Sequence, residues 1–175
     1  MKILAISGSA RRQSTNTALL RAVAAAAPAA VEVAVFDGVG RLPVFSPDLD
    51  NDPPAEVRAY IALVEASDGV LVSNPEYVRA LPGGMKNAID WLVSRDTLVG
   101  KPMALMHASH RGDDMLESLR NVLATVSNRF APELFLRFPL MKMPPAEIAE
   151  FLARSQNATA IQAYLGALAR LCVPT

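Results

Sequence analysis

Apolar and polar positions along the chain sort into two alternating kinds of segment. Short, mostly apolar runs occur at Lys2 to Ser7, Val31 to Phe36, Gly69 to Ser73, Pro102 to His107 and Glu133 to Phe138. Each is too short for a helix and too continuously apolar for a strand with one wet face, the pattern of strands buried on both faces of a parallel sheet. Between them lie amphipathic or alanine-rich stretches at Thr15 to Ala27, Pro54 to Ala66, Pro82 to Ser94 and Asp113 to Ser127, and a further helical stretch runs from Pro145 to Leu171 with a candidate break at Ser155-Gln156-Asn157. This repeat predicts an α/β fold of three layers, a five-stranded parallel sheet with right-handed crossovers and helices on both faces. No repeat, linker or low-complexity tract divides the chain, so residues 1–175 are expected to form one domain. The longest irregular piece, Asp37 to Pro53, holds Gly38, Gly40, Pro43, Pro47 and the acidic run Asp48-Leu49-Asp50-Asn51-Asp52, and a loop of that length is expected to be functional or interfacial.

Composition narrows the class of partner. Hydrophobic residues make up 51% of the chain without any apolar run long enough to span a bilayer. Seventeen Lys and Arg balance 17 Asp and Glu, which leaves no electrostatic footprint for nucleic acid or an anionic membrane and favours a small molecule. No basic segment followed by an apolar core and cleavage site opens the chain, so the expected compartment is the cytoplasm. The only cysteine, Cys172, rules out an intrachain disulfide and is expected to be an inert thiol. High apolar content at zero net charge predicts burial between subunits, as a homodimer or homotetramer.

Two loops carry the candidate chemistry. The turn Gly8-Ser9-Ala10-Arg11-Arg12-Gln13-Ser14-Thr15-Asn16 joins the first strand to the first helix. Ser9, Ser14 and Asn16 supply hydrogen-bond donors, Arg11 a charged fork, and the helix start free N–H groups and a positive dipole end, a set suited to a phosphate monoester. The turn has neither the lysine of a nucleotide P-loop nor the glycines of a dinucleotide fingerprint. The plainer alternative makes Ser14 only a helix cap and the arginines solvated. The second loop, Asn74-Pro75-Glu76-Tyr77-Val78-Arg79-Ala80-Leu81-Pro82-Gly83-Gly84, leaves the third strand. A sheet of order 2-1-3-4-5 sets strands one and three side by side at the switch point, so the two loops share a crevice. Tyr77 and the backbone amides there suit a planar heterocycle. His107, His110, Asp113 and Asp114 form a rival metal constellation, set aside because His107 ends a buried strand and the aspartates are placed to cap the next helix. A phosphate-ester hydrolase is disfavoured because the turn lacks a cysteine nucleophile.

These residues carry a resemblance to the NADPH-dependent FMN reductases of the flavodoxin-like superfamily. It rests on Gly8-Ser9-x-Arg11-x-x-Ser14-x-Asn16, on Pro75-Glu76-Tyr77, and on Leu81-Pro82-Gly83 followed by Lys86-Asn87-Ala88-Ile89-Asp90-Trp91-Leu92, and it extends to about Leu123. The resemblance implies a flavodoxin-like fold, FMN phosphate held by Ser9, Arg11, Ser14 and Asn16, and an isoalloxazine ring flanked by Pro75, Glu76, Tyr77, Val78 and Arg79, with Ser109 on a third wall. It also implies that the helix from Lys86 to Trp91 joins subunits through Ile89, Trp91 and Leu92, burial of Trp91 inside the subunit being an equal alternative. Two departures stand out. Val78-Arg79-Ala80 replaces the family's Asn-Gly-Ser, which puts an arginine near the ring to favour an anionic reduced flavin or an anionic substrate. Ser109-His110-Arg111-Gly112-Asp113-Asp114 replaces a glycine-rich loop, and only Ser109 and Gly112 correspond. The implied function is an FMN-dependent oxidoreductase taking electrons from NADPH or NADH and passing them, in ping-pong order, to a small-molecule electron acceptor: a quinone, azo compound, free flavin or oxidised metal ion. The flavin carries the chemistry, so no catalytic acid or base is required. The alternative is a non-enzymatic FMN-binding or sensing protein with a modified ring site.

Overall fold

The computed structural model describes residues 1–173. Its elements are β1 Lys2–Ser7, α1 Thr15–Ala25, β2 Glu32–Phe36, α2 Ala55–Glu65, β3 Gly69–Ser73, α3 Gly83–Val93, β4 Met103–His107, α4 Asp113–Val126, β5 Phe130–Arg137, α5 Pro145–Ala153 and α6 Ser155–Cys172. The strands form one parallel sheet in the order β2-β1-β3-β4-β5. Side-chain alternation sends the two sets of strand residues to different helix layers. Leu4, Ile6, Val70, Val72, Met103 and Leu105 pack with Tyr60, Trp91, Leu116 and Leu119 of α2 to α4. Ile3, Ala5, Leu71, Ala104 and Met106 pack with Leu19, Val23, Ile148, Ile161 and Leu165 of α1, α5 and α6. Both faces of the three central strands are therefore dry, as the uninterrupted apolar runs require, while the edge strands β2 and β5 are partly exposed.

Two local features differ from the expectation. The fifth strand begins at Phe130 rather than Glu133 because it is an edge strand, where Pro132 removes no needed ladder bond, and the register with β4 shifts between Met103 and Leu105. In that irregular stretch the Tyr164 hydroxyl of α6 donates to the Leu105 carbonyl at 2.9 Å. The C-terminal helical stretch breaks one residue early, at an extended Arg154, and Asn157 Nδ2 donates to the Phe151 carbonyl at 2.7 Å, closing the end of α5. Cys172 is partly buried, and burial pushes its thiol up.

The loop from Asp37 to Pro53 is strapped along α3. Asn87 accepts the Phe45 N–H at 2.8 Å and donates to the Pro43 carbonyl at 3.0 Å, while Trp91 Nε1 donates to the same carbonyl at 2.8 Å. Arg95 holds the Asp50 carboxylate and carbonyl, and that pairing lowers the Asp50 carboxyl below its usual range. Ile89, Trp91 and Leu92 are all buried within the chain, which corrects the expected subunit face at Ile89 and Leu92 and gives Trp91 its alternative reading, burial inside the subunit. No helix among the described residues is long and apolar enough to cross a membrane.

Candidate functional site

A cleft of about 380 Å³ opens at the carboxyl edge of β1, β3 and β4. The β1 side contributes Arg11, Thr15 and Asn16, the β3 side Asn74, Pro75 and Glu76, and the β4 side His107, Ala108, Ser109, Arg111 and Gly112. Met141 and Lys142, from the connection between β5 and α5, complete it. The switch-point rule thus brings together the two loops that the sequence singled out.

The first turn is built by its own hydroxyls. Ser14 caps α1, its Oγ accepting the Thr17 N–H at 3.2 Å, and Ser9 Oγ accepts the Arg11 N–H at 3.3 Å. Both serines are buried, and neither lines the cleft. The Ser73 hydroxyl donates to Asn16 Oδ1 at 2.8 Å, which leaves the Asn16 amide nitrogen as the group facing a ligand. Arg11 makes no ion pair with a described residue, and the first N–H groups of α1, at Thr15 and Asn16, have no intrahelical acceptor. What remains available for an anion is a guanidinium, an amide and a helix start.

The β3 loop folds back as a tight hairpin. Tyr77 and Ala80 exchange both backbone hydrogen bonds at 3.1 Å, and Val78 and Arg79 between them have φ of 52° and 60°. Positive φ at both central residues defines a type I′ turn, for which Asn-Gly is the favoured pair. Here a β-branched residue that is 98% exposed occupies the first position. Val78 therefore carries strain with no packing to offset it, and Val78→Asn is expected to raise stability by about 1 kcal/mol in urea unfolding.

The turn is held from α4. Arg79 Nε lies 2.5 Å from Asp114 Oδ2, and Glu76 Oε2 accepts the Met115 N–H at 3.3 Å. Gly112 precedes α4 and has no side chain to cap it, so Glu76 does so across the cleft. The two departures from the family pattern are thereby partners, since Arg79 belongs to one and Asp114 to the other. Tyr77, Val78 and Arg79 stand outside the cleft lining, whereas Pro75, Glu76 and Ser109 are part of it.

His107 is 2% exposed, and its Nε2 lies 2.5 Å from the Arg111 carbonyl oxygen. Gly112, at φ +99°, passes so close that a Cβ there would lie 2.9 Å from Nε2. Burial, reinforced by the charge of Arg137, holds the imidazole below its ordinary value. With the folded pKa below the unfolded one, the unfolded chain takes up the proton first as pH falls. Stability is therefore expected to decline from about pH 6.5 downward and level off below the folded value, and urea midpoints of His107→Gln should lack that step. Asp113 pairs with Arg137 at 2.5 Å. Among the described residues no group of three or more His, Cys, Asp or Glu is placed to hold a metal ion.

Of the cleft residues, Thr15, Asn74 and Arg111 lie in segments that the sequence singles out but have no assigned role there, and His107 and Lys142 are additions to the expected binding set. The available signal was their position, since each follows or ends a strand at the carboxyl edge where ligands bind in open α/β sheets.

Comparison with known proteins places the chain in context. A family model described as NADPH-dependent FMN reductase matches residues 1–137. A 2-hydroxy-1,4-benzoquinone reductase from a Burkholderia species is 38% identical over 112 residues, covering 62% of this chain and 61% of that protein. A quinone reductase of Escherichia coli K12 is 34% identical over 113 residues, covering 62% and 60%. The matched stretch thus spans about three fifths of the length of these relatives. Among solved structures, FerB, a flavoenzyme NAD(P)H:(acceptor) oxidoreductase from Paracoccus denitrificans, superposes with a TM-score of 0.76 at 26% identity, covering 98% of this chain and 96% of that one.

Proposed function

Because the chain belongs to the NADPH-dependent FMN reductase family, we propose that it is an FMN-dependent NAD(P)H oxidoreductase that reduces a small acceptor, most simply a quinone. The observation that carries this reading is the convergence of an uncommitted guanidinium, a buried amide and a helix start at one end of a cleft whose middle holds unpartnered buried polar atoms. Those groups fit a molecule with a phosphate at one end and polar substituents further along. Arg11, the Asn16 amide nitrogen and the first N–H groups of α1 hold the phosphate, with Ser9 and Ser14 keeping the turn in shape. Pro75, Glu76 and Ser109 line the way toward the ring, and the Arg79–Asp114 pair fixes the Tyr77 hairpin at its rim. Bound FMN supplies hydride and electron transfer, so this chain's residues bind and orient rather than donate protons. Donor and acceptor take the same mouth in turn, which is the ping-pong order. That the Burkholderia and E. coli relatives are quinone reductases supports a quinone.

The test is spectroscopic. Protein loaded with FMN is expected to lose its visible flavin absorbance on anaerobic addition of NADPH or NADH and to recover it when a benzoquinone is added. Parallel double-reciprocal plots would establish the alternating order. Flavin that binds but does not bleach would make the protein a binding module instead, and no affinity for FMN would overturn the reading.

A further inference from the structure

Three cations line the cleft, Arg11, Arg111 and Lys142, against a single carboxylate, Glu76, among the described residues. The whole chain balances 17 Lys and Arg with 17 Asp and Glu, so the positive excess is local to the cleft. The nearby carboxylates are already taken. Asp113 holds Arg137 and Asp114 holds Arg79, each at 2.5 Å, while Glu76 Oε2 accepts the Met115 N–H at 3.3 Å. Arg111 is exposed and makes no ion pair with a described residue, yet its backbone is held on both sides. Its N–H donates to Ser109 Oγ at 3.0 Å, and its carbonyl accepts from His107 Nε2. The loop therefore holds the base of a free guanidinium at a fixed place on the cleft wall.

One phosphate does not occupy all three cations. The phosphate turn with Arg11 follows β1, whereas the loop of Arg111 follows β4, two strands away and roughly 10 Å across the sheet. Arg111 shares that loop with Ser109, at the ring end. Arg79, on the other ring-side loop, is tied to Asp114 and stands outside the lining, so Arg111 is the cation of this end that is free to meet a ligand. A dinucleotide donor carries its charge on phosphates, which a sugar separates from the nicotinamide. A small acceptor lies wholly beside the ring and brings any charge of its own within reach. The planar fork of a guanidinium matches a carboxylate, whereas Lys142, from the connection between β5 and α5, adds a point charge on a flexible stem. We propose that Arg111 seats an anionic oxygen of the electron acceptor, and so selects ring acceptors bearing a carboxylate or an ionised hydroxyl over neutral ones. This assignment rests on the FMN reading above and names the class of acceptor within it.

The experiment isolates the acceptor's half of the cycle. Protein loaded with FMN and reduced anaerobically with an equimolar amount of NADPH is mixed with a naphthoquinone carboxylate or with its methyl ester. The quinone takes up two electrons and two protons overall and leaves as the hydroquinone, while the flavin returns to its oxidised form. Recovery of flavin absorbance gives a second-order rate for each acceptor, and the carboxylate-to-ester ratio is compared between proteins so that the acceptors' own reactivities cancel. In Arg111→Gln that ratio is expected to fall about tenfold, the effect of losing a hydrogen bond to a charged partner at an exposed site. Arg111→Lys, which keeps the charge without the fork, should recover part of it. Lys142→Gln removes a cation from the same lining and is expected to lower the ratio by less than about threefold. An unchanged ratio in Arg111→Gln, or an equal fall in Lys142→Gln, overturns the subsite and leaves the FMN reading standing. A loss confined to bleaching by NADH or NADPH would put the anion on the donor and likewise overturn it. Flavin that does not bind, or binds and does not bleach, overturns both.

Discussion

Trp91→Ala is expected to cost about 3–5 kcal/mol of folding stability, the range for removing a fully buried aromatic side chain. Trp91 is 0% exposed and packs edge-on against Phe45, with ring centroids 5.1 Å apart. Its loss would leave a cavity between α3 and the sheet and would remove the indole N–H from the Pro43 carbonyl. The loop from Asp37 to Pro53 would then lose its indole anchor and depend on Arg21, Arg58, Asn87, Ser94 and Arg95. Equilibrium urea unfolding measures the first effect, and amide hydrogen exchange at Phe45, whose N–H is held by Asn87, measures the second. A change below about 1 kcal/mol would show that the surrounding core closes over the gap. The same strap reaches the candidate site from behind, because a Cβ at Gly40 would lie 2.6 Å from the Ala10 Cβ in the phosphate turn. A loosened loop is therefore expected to weaken FMN affinity as well as stability.

Arg11→Ala is expected to weaken FMN binding by roughly tenfold or more. A hydrogen bond to a charged group contributes about 1.5–3 kcal/mol, and the exposure of Arg11 places it at the lower end of that range. The fold should tolerate the change, since the side chain makes no ion pair with a described residue and the contact to Ser9 is through the backbone. Arg12→Ala is the control. Arg12 lines a separate groove shared by α1 and α5, so its loss changes the net charge equally and is expected to leave FMN affinity within about twofold. Equal losses in the two variants would mean that general electrostatics, not a phosphate contact, attract the ligand. Fluorescence quenching titrations at constant ionic strength separate these outcomes.

Much of the fold and part of the site are legible along the chain. The apolar runs mark the strands because a strand dry on both faces has no polar alternation to hide, and Ser14 marks the start of α1 because an N-cap needs a short acceptor at one defined place. The hydroxyls of Ser9 and Ser14 were legible as residues of the turn but not in their use, since the same oxygen can cap a backbone N–H or meet a ligand. Glu76 shows the same ambiguity. Its neighbours Pro75 and Tyr77 point to a ring, yet its carboxylate caps a helix 39 residues further on.

Periodicity and local turn chemistry, which act over a few residues, were enough by themselves to determine the βα alternation, the parallel sheet and the turn that begins α1. The tertiary structure alone decided which distant groups became partners. Arg79 meets Asp114 across 35 residues, Trp91 turns inward onto Pro43 across 48, and His107 faces Arg137 only because β4 and β5 are neighbours in register. A side chain's type states what it can bond to, but strand order and helix packing set what lies within reach. Where an unmet buried polar group is costly, that reach separates Asn74 and His107, which keep unpartnered polar atoms among the described residues, from Glu76 and Arg79, already engaged.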